Sequence, residues 1–303
     1  MKYREEQRER SVALRNQFYN DPGNGVFLGK EREFVLQNPV LNLWEGIRLD
    51  ALEYFKRNNI AWWQGKNNEP TGHILSSQVA CVNHLYFARM RKDVATSILM
   101  GIDDEVMEAV VIDDGYVEFE FIGKKQYLQE KGFSRGANCT SVDAVMLGKL
   151  KDNSLRMYFI EWKYTEEYSQ VDLYIPERAK VYDHLIQADD SPFNAAYDVK
   201  AFYYEPFYQL MRQTLLADQI VKNREYDVSS FKHIHVVPKE NFDLINRVTS
   251  PYFKGDNIHE VWKNALINRD NFLHIAPGDL LGQVLNCQDT LSPINYLKVR
   301  YWY

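Results

Sequence analysis

Cysteine is scarce in this chain: Cys81, Cys139 and Cys287 stand far apart and are odd in number among 303 residues. No two of them have the spacing of a metal site, and a disulfide-braced secreted domain is not indicated. Reduced thiols in a cytoplasmic protein are the expectation. Long apolar runs are missing too. Nothing approaches the roughly 20 consecutive apolar residues that span a bilayer, and the opening Met-Lys-Tyr-Arg-Glu-Glu-Gln-Arg-Glu-Arg lacks the apolar centre of a signal peptide. No membrane partner is expected. Absent as well are a P-loop, a dinucleotide fingerprint and a nucleophile elbow. There is no excess of positive charge: the formal net charge is −6, which argues against attraction of phosphates by the surface as a whole.

What remains is a core-forming composition. Hydrophobic residues make up 45% and aromatics 14%, ample for a packed interior and unlike a disordered chain. No internal repeat or low-complexity linker divides the sequence, so residues 1–303 read as a single domain. Its parts are a helical N-terminal portion (1–110), a core (111–240) interrupted by an insertion (165–205), and a C-terminal elaboration (241–303). Charge is unevenly spread. From Gly123 to Lys151, Lys124, Lys125, Lys131, Arg135, Lys149 and Lys151 face only Glu130 and Asp143.

Local patterns give the elements. The first 19 residues suit a peripheral helix, ended by Asp21-Pro-Gly-Asn-Gly25. Leu43, Ile47, Leu49, Leu52 and Phe55 predict a helix over 43–57. Ser76 or Ser77 caps another that continues through Val79, Val82 and Leu85 to about Arg89. Tyr116 to Ile122 alternates, with Glu118 and Glu120 opposite Val117, Phe119 and Phe121, as in a strand with one polar face. Ser141–Leu147 and Leu155–Tyr164 read as strands joined through Asp152-Asn-Ser154. Helices over 176–187, with Pro176 in the first turn, and over 207–221, and a short strand over 233–237, complete a mixed α/β arrangement with helices packed on a sheet.

Two of these strands carry charge where a core would reject it. Asp143 lies in Ser-Val-Asp-Ala-Val-Met-Leu; Glu161-Trp162-Lys163 ends the apolar run Met157-Tyr-Phe-Ile160. Alternation along a strand points Glu161 and Lys163 to one face, and an antiparallel partner brings Asp143 beside Glu161. A lone Glu-X-Lys is common and is usually a solvent-facing charge pair. At the end of a strand covered on both faces such charges are costly unless paired or ligated. Two carboxylates suit a hard cation such as Mg2+, with Mn2+ as a replacement, and the backbone carbonyl of Trp162 offers a further oxygen. Lys163 then orients or deprotonates a water and offsets developing charge.

The hairpin Ser141-Val-Asp143 … Ile160-Glu-Trp-Lys163 resembles the core of the PD-(D/E)XK, or restriction-endonuclease-like, nuclease superfamily. The clear likeness covers residues 141–163; a looser one runs from about Leu75 to Val237. It implies a restriction-endonuclease-like core sheet flanked by helices, Asp143 and Glu161 as metal ligands, and Lys163 as the catalytic lysine. Val142 stands where the nominal pattern has proline. Many members place a further Glu on the helix before the hairpin. Here that helix offers Gln78, Asn83 and His84, so either an amide replaces the acid or Glu118 or Glu120 supplies it.

The helix after the Glu-X-Lys strand carries Gln209, Arg212 and Gln213 on one side, where superfamily members often position substrate phosphate. Lys124, Lys125 and Arg135 are further candidates for the backbone of a nucleic acid. His233 and His235 form a His-X-His pair without a third ligand at recognisable spacing, so a structural role is the simpler reading. Exposed aromatics stack on bases, but Trp62-Trp63, Tyr203-Tyr204 and Tyr301-Trp302-Tyr303 read first as packing residues. The expectation is a cytoplasmic, metal-dependent nuclease acting on nucleic acid, DNA foremost, alone, as a homo-oligomer or within a larger assembly. The alternative is a nuclease-like binding module with little hydrolysis.

Overall fold

The computed structural model describes residues 1–302, the side chain of Gln17 excepted. Helices α1 (Tyr3–Phe18), α2 (Arg48–Arg57), α3 (Ser77–Leu85) and α4 (Lys92–Met100) come first, with a small hairpin, β1 (Gly25–Phe27) and β2 (Lys30–Arg32), after α1. Strands β3 (Val106–Val110), β4 (Glu118–Phe121), β5 (Val142–Leu150) and β6 (Leu155–Trp162) follow. Then come α5 (Pro176–Ile186), α6 (Phe207–Lys222), β7 (Ser230–Val236), α7 (Phe242–Ile245), α8 (Ile258–Ala265), β8 (Phe272–Ile275), α9 (Pro277–Leu280) and α10 (Leu291–Arg300).

Six strands form one mixed sheet in the order β3-β5-β6-β7-β8, with β4 also paired to β5. β3 takes the C-terminal half of β5 and β4 the N-terminal half. β5 and β6 are antiparallel, whereas β6, β7 and β8 run parallel. Parallel strands need a crossover, and the segment containing α5 and α6 supplies it between β6 and β7. The turn after β5 is the Asp-Asn-Ser predicted from sequence: Ser154 donates its N–H to Asp152 Oδ1 at 2.9 Å, and Asn153 has φ 70°. Asn tolerates that left-handed conformation.

Helices cover both faces. Ala144, Met146, Tyr158, Ile160 and Trp162 pack on one side against α2, α3, α4 and α10. Val145, Leu147, Met157 and Phe159 pack on the other against α5, α6 and α8. Met157 to Ile160 are all fully buried, and burial of such apolar side chains contributes roughly 1.5–3 kcal/mol each. Among the described residues no helix is long and apolar enough to cross a membrane.

Three expectations need correction. The second helix starts at Arg48, not Leu43, because Gly46 sits in the preceding turn; Leu49 is 79% exposed and faces away from the core. α4 and β3, hidden in the stretch assigned to a helical N-terminal portion, supply part of the core and an edge strand. The C-terminal portion is more than an elaboration, since β8 extends the central sheet beside β7.

Candidate active site

Strand register builds the site. Ala144 pairs with Ile160, so one step further along the antiparallel ladder Asp143 stands opposite Glu161. On the other side of β5, Glu120 lies between the pairs Phe119–Ala144 and Phe121–Val142, opposite Asp143. Three carboxylates therefore form one row across β4, β5 and β6. Continued through the parallel strands, Glu161 pairs with His235, and His235 with His274.

The polar face predicted for β4 does not exist. Glu118 and Glu120 are only 1% and 6% exposed, like their apolar neighbours. Glu120 has φ 48°, a left-handed conformation that costs a non-glycine residue free energy and breaks the simple alternation of the strand. Glu120 accepts hydrogen bonds from Gln78 Nε2 (2.6 Å) and Ser141 Oγ (2.7 Å). Gln78 is itself fixed: its Oε1 accepts from Trp63 N–H and its Nε2 donates to the Ala61 carbonyl. An amide on α3 and an acid on β4 thus occupy this corner together. Glu118 belongs elsewhere, held by Tyr54 Oη (2.6 Å), Arg89 (2.9 Å) and Arg135 (3.3 Å).

Asp143 is half-buried, and its Oδ2 accepts the N–H of Trp162 at 2.7 Å. The last β5–β6 pair is Ala144–Ile160, so the Trp162 N–H on that edge is left to the carboxylate. Glu161, 1% exposed, accepts from Lys163 Nζ (2.6 Å) on Oε1 and from Gln213 Nε2 on Oε2. Lys163 also donates to Gln209 Oε1 at 2.5 Å. Gln213 donates a second bond to the Ser141 carbonyl (2.9 Å), and its Oε1 meets His233 Nε2 at 3.2 Å. One side of α6 therefore holds both residues of the Glu-X-Lys.

Electrostatics follow from that crowding. Burial, then Glu161 and Glu120, push the Asp143 carboxyl well above the ordinary range. Burial raises Glu120 as well, against the hydrogen bonds from Gln78 and Ser141, with Glu161 adding to the rise. Burial alone would lower Lys163, but the surrounding anions, Glu161 first, override it and hold the ammonium well above its usual value. Glu205, which sequence reasoning missed, is raised by burial despite the nearby Arg212 and Lys163. Its signal was its place just before Pro206, at the entry to α6.

The remaining candidates separate. Arg212 lies over the Tyr208 ring (4.7 Å) and reaches Thr140 Oγ1 at 3.3 Å, at the mouth of the same cluster. Lys124 and Lys125 are exposed, although Lys124 Nζ sits 3.6 Å above the Tyr226 ring. Arg135 turns inward, donating to Tyr54 Oη (2.7 Å) and the Phe119 carbonyl (3.2 Å), and so buttresses Glu118. His233 is bonded to Thr214 and Gln213 and pushed down to about 3 by burial, then by Lys163. It is a neutral packing residue. His235 meets His259 at 3.1 Å in the same buried layer.

Among the described residues no three Asp, Glu, His or Cys side chains gather into a metal cage. The oxygen donors of Asp143 and Glu161, opposite one another on adjacent strands, suit a hard cation that keeps several waters and takes one or two carboxylates. A cation there would relieve the repulsion.

No curated protein and no solved structure matches the chain. A family model described as restriction endonuclease associating with ARP matches residues 9–302. Nearly the whole length is covered, including every residue of the carboxylate row, and the chain belongs to this family of restriction endonucleases associating with ARP.

Proposed function

We propose that this chain is a metal-dependent nuclease of the PD-(D/E)XK kind, hydrolysing phosphodiester bonds of nucleic acid, with DNA the expected substrate. The observation that carries the reading is the register that sets Glu120, Asp143 and Glu161 side by side, with Lys163 bonded to Glu161. Asp143, Glu161 and the Trp162 carbonyl would hold Mg2+, or Mn2+ in its place. Bound there, the cation would polarise a phosphoryl oxygen and acidify a water.

The chain's own groups do the rest. Lys163, which donates to Glu161 and Gln209, would orient the attacking water and offset negative charge on phosphate. Gln209 fixes its head group, and Gln213 fixes Glu161. Arg212, at the mouth, is placed to meet a phosphate. Lys124 and Lys125 are exposed on the loop leading into β5 and supply local attraction that the net charge of −6 does not.

The family description names an association, which favours action within a larger assembly and keeps a second reading in view: a binding module with little hydrolysis. Calorimetric titration with Mn2+ and Mg2+ separates the two. The nuclease reading expects saturable binding that Asp143→Ala and Glu161→Ala each abolish. Absence of binding to the folded wild type, in the presence and absence of DNA, would leave only the binding module.

A further inference from the structure

The pair Trp62-Trp63 divides between core and surface. Trp62 is buried and stacks on Phe55, ring centroids 3.7 Å apart and planes 10° from parallel. Trp63 points the other way and is 46% exposed. It is nevertheless held: its ring packs against Phe27 (6.0 Å) and edge-on against His73 (5.9 Å), and its N–H bonds Gln78 at 2.8 Å. Gln78 in turn bonds Glu120, the first carboxylate of the row. A large exposed ring on so fixed a backbone is a platform.

The platform forms a wall of a cavity of about 270 Å³. Thr165, Glu166 and Glu167, just past the Glu-X-Lys, also line it, with Ser77 at the start of α3 and Arg4; Glu167 is neutralised by Lys2 at 2.8 Å. The cavity is therefore tied to the carboxylate row by the hydrogen bonds from Trp63 through Gln78 to Glu120 and by the two residues that separate Thr165 from Trp162 at the end of β6. Its volume exceeds the roughly 150 Å³ that holds a benzene ring and falls just below the range of about 300–1,000 Å³ of drug-sized ligands. A bicyclic heteroaromatic ring fits that interval. His73, pushed down to about 4 by burial and then by Arg4 and Arg8, is neutral and offers a ring where a charge would otherwise stand. Arg4, exposed, is the cation of the lining and is able to meet a phosphate.

We propose that this cavity receives an unpaired nucleobase of the strand lying in the active site, stacked on Trp63, so that the protein engages single-stranded or locally opened nucleic acid in preference to intact duplex. The proposal rests on the nuclease reading for its substrate class, and its test does not require turnover. An aromatic platform is tolerant of sequence because every base has a π-face.

The experiment is equilibrium binding of a single-stranded DNA oligonucleotide containing 2-aminopurine, in chelator, by wild type, Trp63→Ala and Trp63→Phe, with a matched duplex alongside. Stacking quenches 2-aminopurine, so quenching is expected with wild type, retained by Trp63→Phe and lost in Trp63→Ala. Affinity of the alanine variant for the single strand should fall roughly 5- to 150-fold, with duplex affinity unchanged. Equal quenching and affinity in all three proteins would overturn the proposal, as would an equal loss for single strand and duplex. Either result leaves the nuclease reading intact if the wild type cleaves DNA and Glu161→Gln does not. Failure to bind either DNA would overturn both.

Discussion

Neutralising one carboxylate of the row should make the metal-free protein more stable while removing its activity. Glu120, Asp143 and Glu161 stand opposite one another on three strands, and one buried ammonium, Lys163, is bonded to the row. In Asp143→Asn the side-chain carbonyl still accepts the Trp162 N–H now held at 2.7 Å, while one of three crowded negative charges disappears. Relief of such functional strain contributes about 0.5–2 kcal/mol. At about 2–4 °C per kcal/mol for a domain of this general size, Tm should rise by about 1–8 °C. The pH dependence has a definite sign. Asp143 is raised in the folded state, by burial and then by Glu161 and Glu120. The associated stability is present below the unfolded-state value and is lost as pH rises through the raised folded value. The advantage of Asn is therefore largest near neutrality and shrinks on acidification. Thermal unfolding in chelator across about pH 5–8, the usual window of maximal stability, measures it. Adding Mg2+ should then reverse the order, because a ligand of the native state alone stabilises by about 2.7 kcal/mol at one hundred times its Kd, and only the wild type binds it. A variant less stable than wild type near neutrality in chelator, or equal Mg2+ stabilisation of both, would refute the reasoning.

Lys163→Met leaves Glu161 buried without its ammonium and should cost about 3–5 kcal/mol in urea unfolding; a loss below about 1 kcal/mol would mean that the pair is already solvated. Gln213→Ala removes the shared donor to Glu161 and the Ser141 carbonyl, so metal affinity measured by calorimetry should fall about 10- to 100-fold, and unchanged affinity would exclude an orienting role for α6. Lys124→Ala with Lys125→Ala should weaken DNA binding and lower the salt slope by about 2, near 0.9 per phosphate contact; an unaltered slope would show that this loop does not meet the backbone. Arg135→Ala, which strips a donor from buried Glu118, should instead lower stability and leave the salt slope alone; a reduced slope at full stability would reinstate Arg135 as a phosphate ligand.

Much of the candidate site's geometry was legible because it is local. The apolar run before Glu161 marks a strand buried on both faces, alternation aligns Glu161 with Lys163, and the Asp-Asn-Ser turn fixes the antiparallel partner that carries Asp143. Gln209 and Gln213 follow from helical spacing on α6. What sequence could not supply is what depends on non-local register and on one unusual dihedral. Glu120 looked like part of a polar strand face. Its left-handed φ and the pairing of β4 with β5 place it in the row instead. Arg135 looked like a phosphate ligand because it sits among basic residues, but its partners Tyr54 and Glu118 are 81 and 17 positions away. β8 escaped notice because a four-residue strand has too few residues for periodicity to declare itself. Trp62 and Trp63 were inseparable as a pair until packing assigned one to the core and the other to the surface cavity.

The most direct test is cleavage of plasmid, linear duplex and single-stranded DNA with Mg2+ or Mn2+, comparing wild type with Glu161→Gln and Lys163→Ala. The account predicts metal-dependent cleavage by the wild type, lost in both variants while each remains folded. A folded wild type that cleaves none of these substrates, or variants that cleave as well as it does, would contradict it.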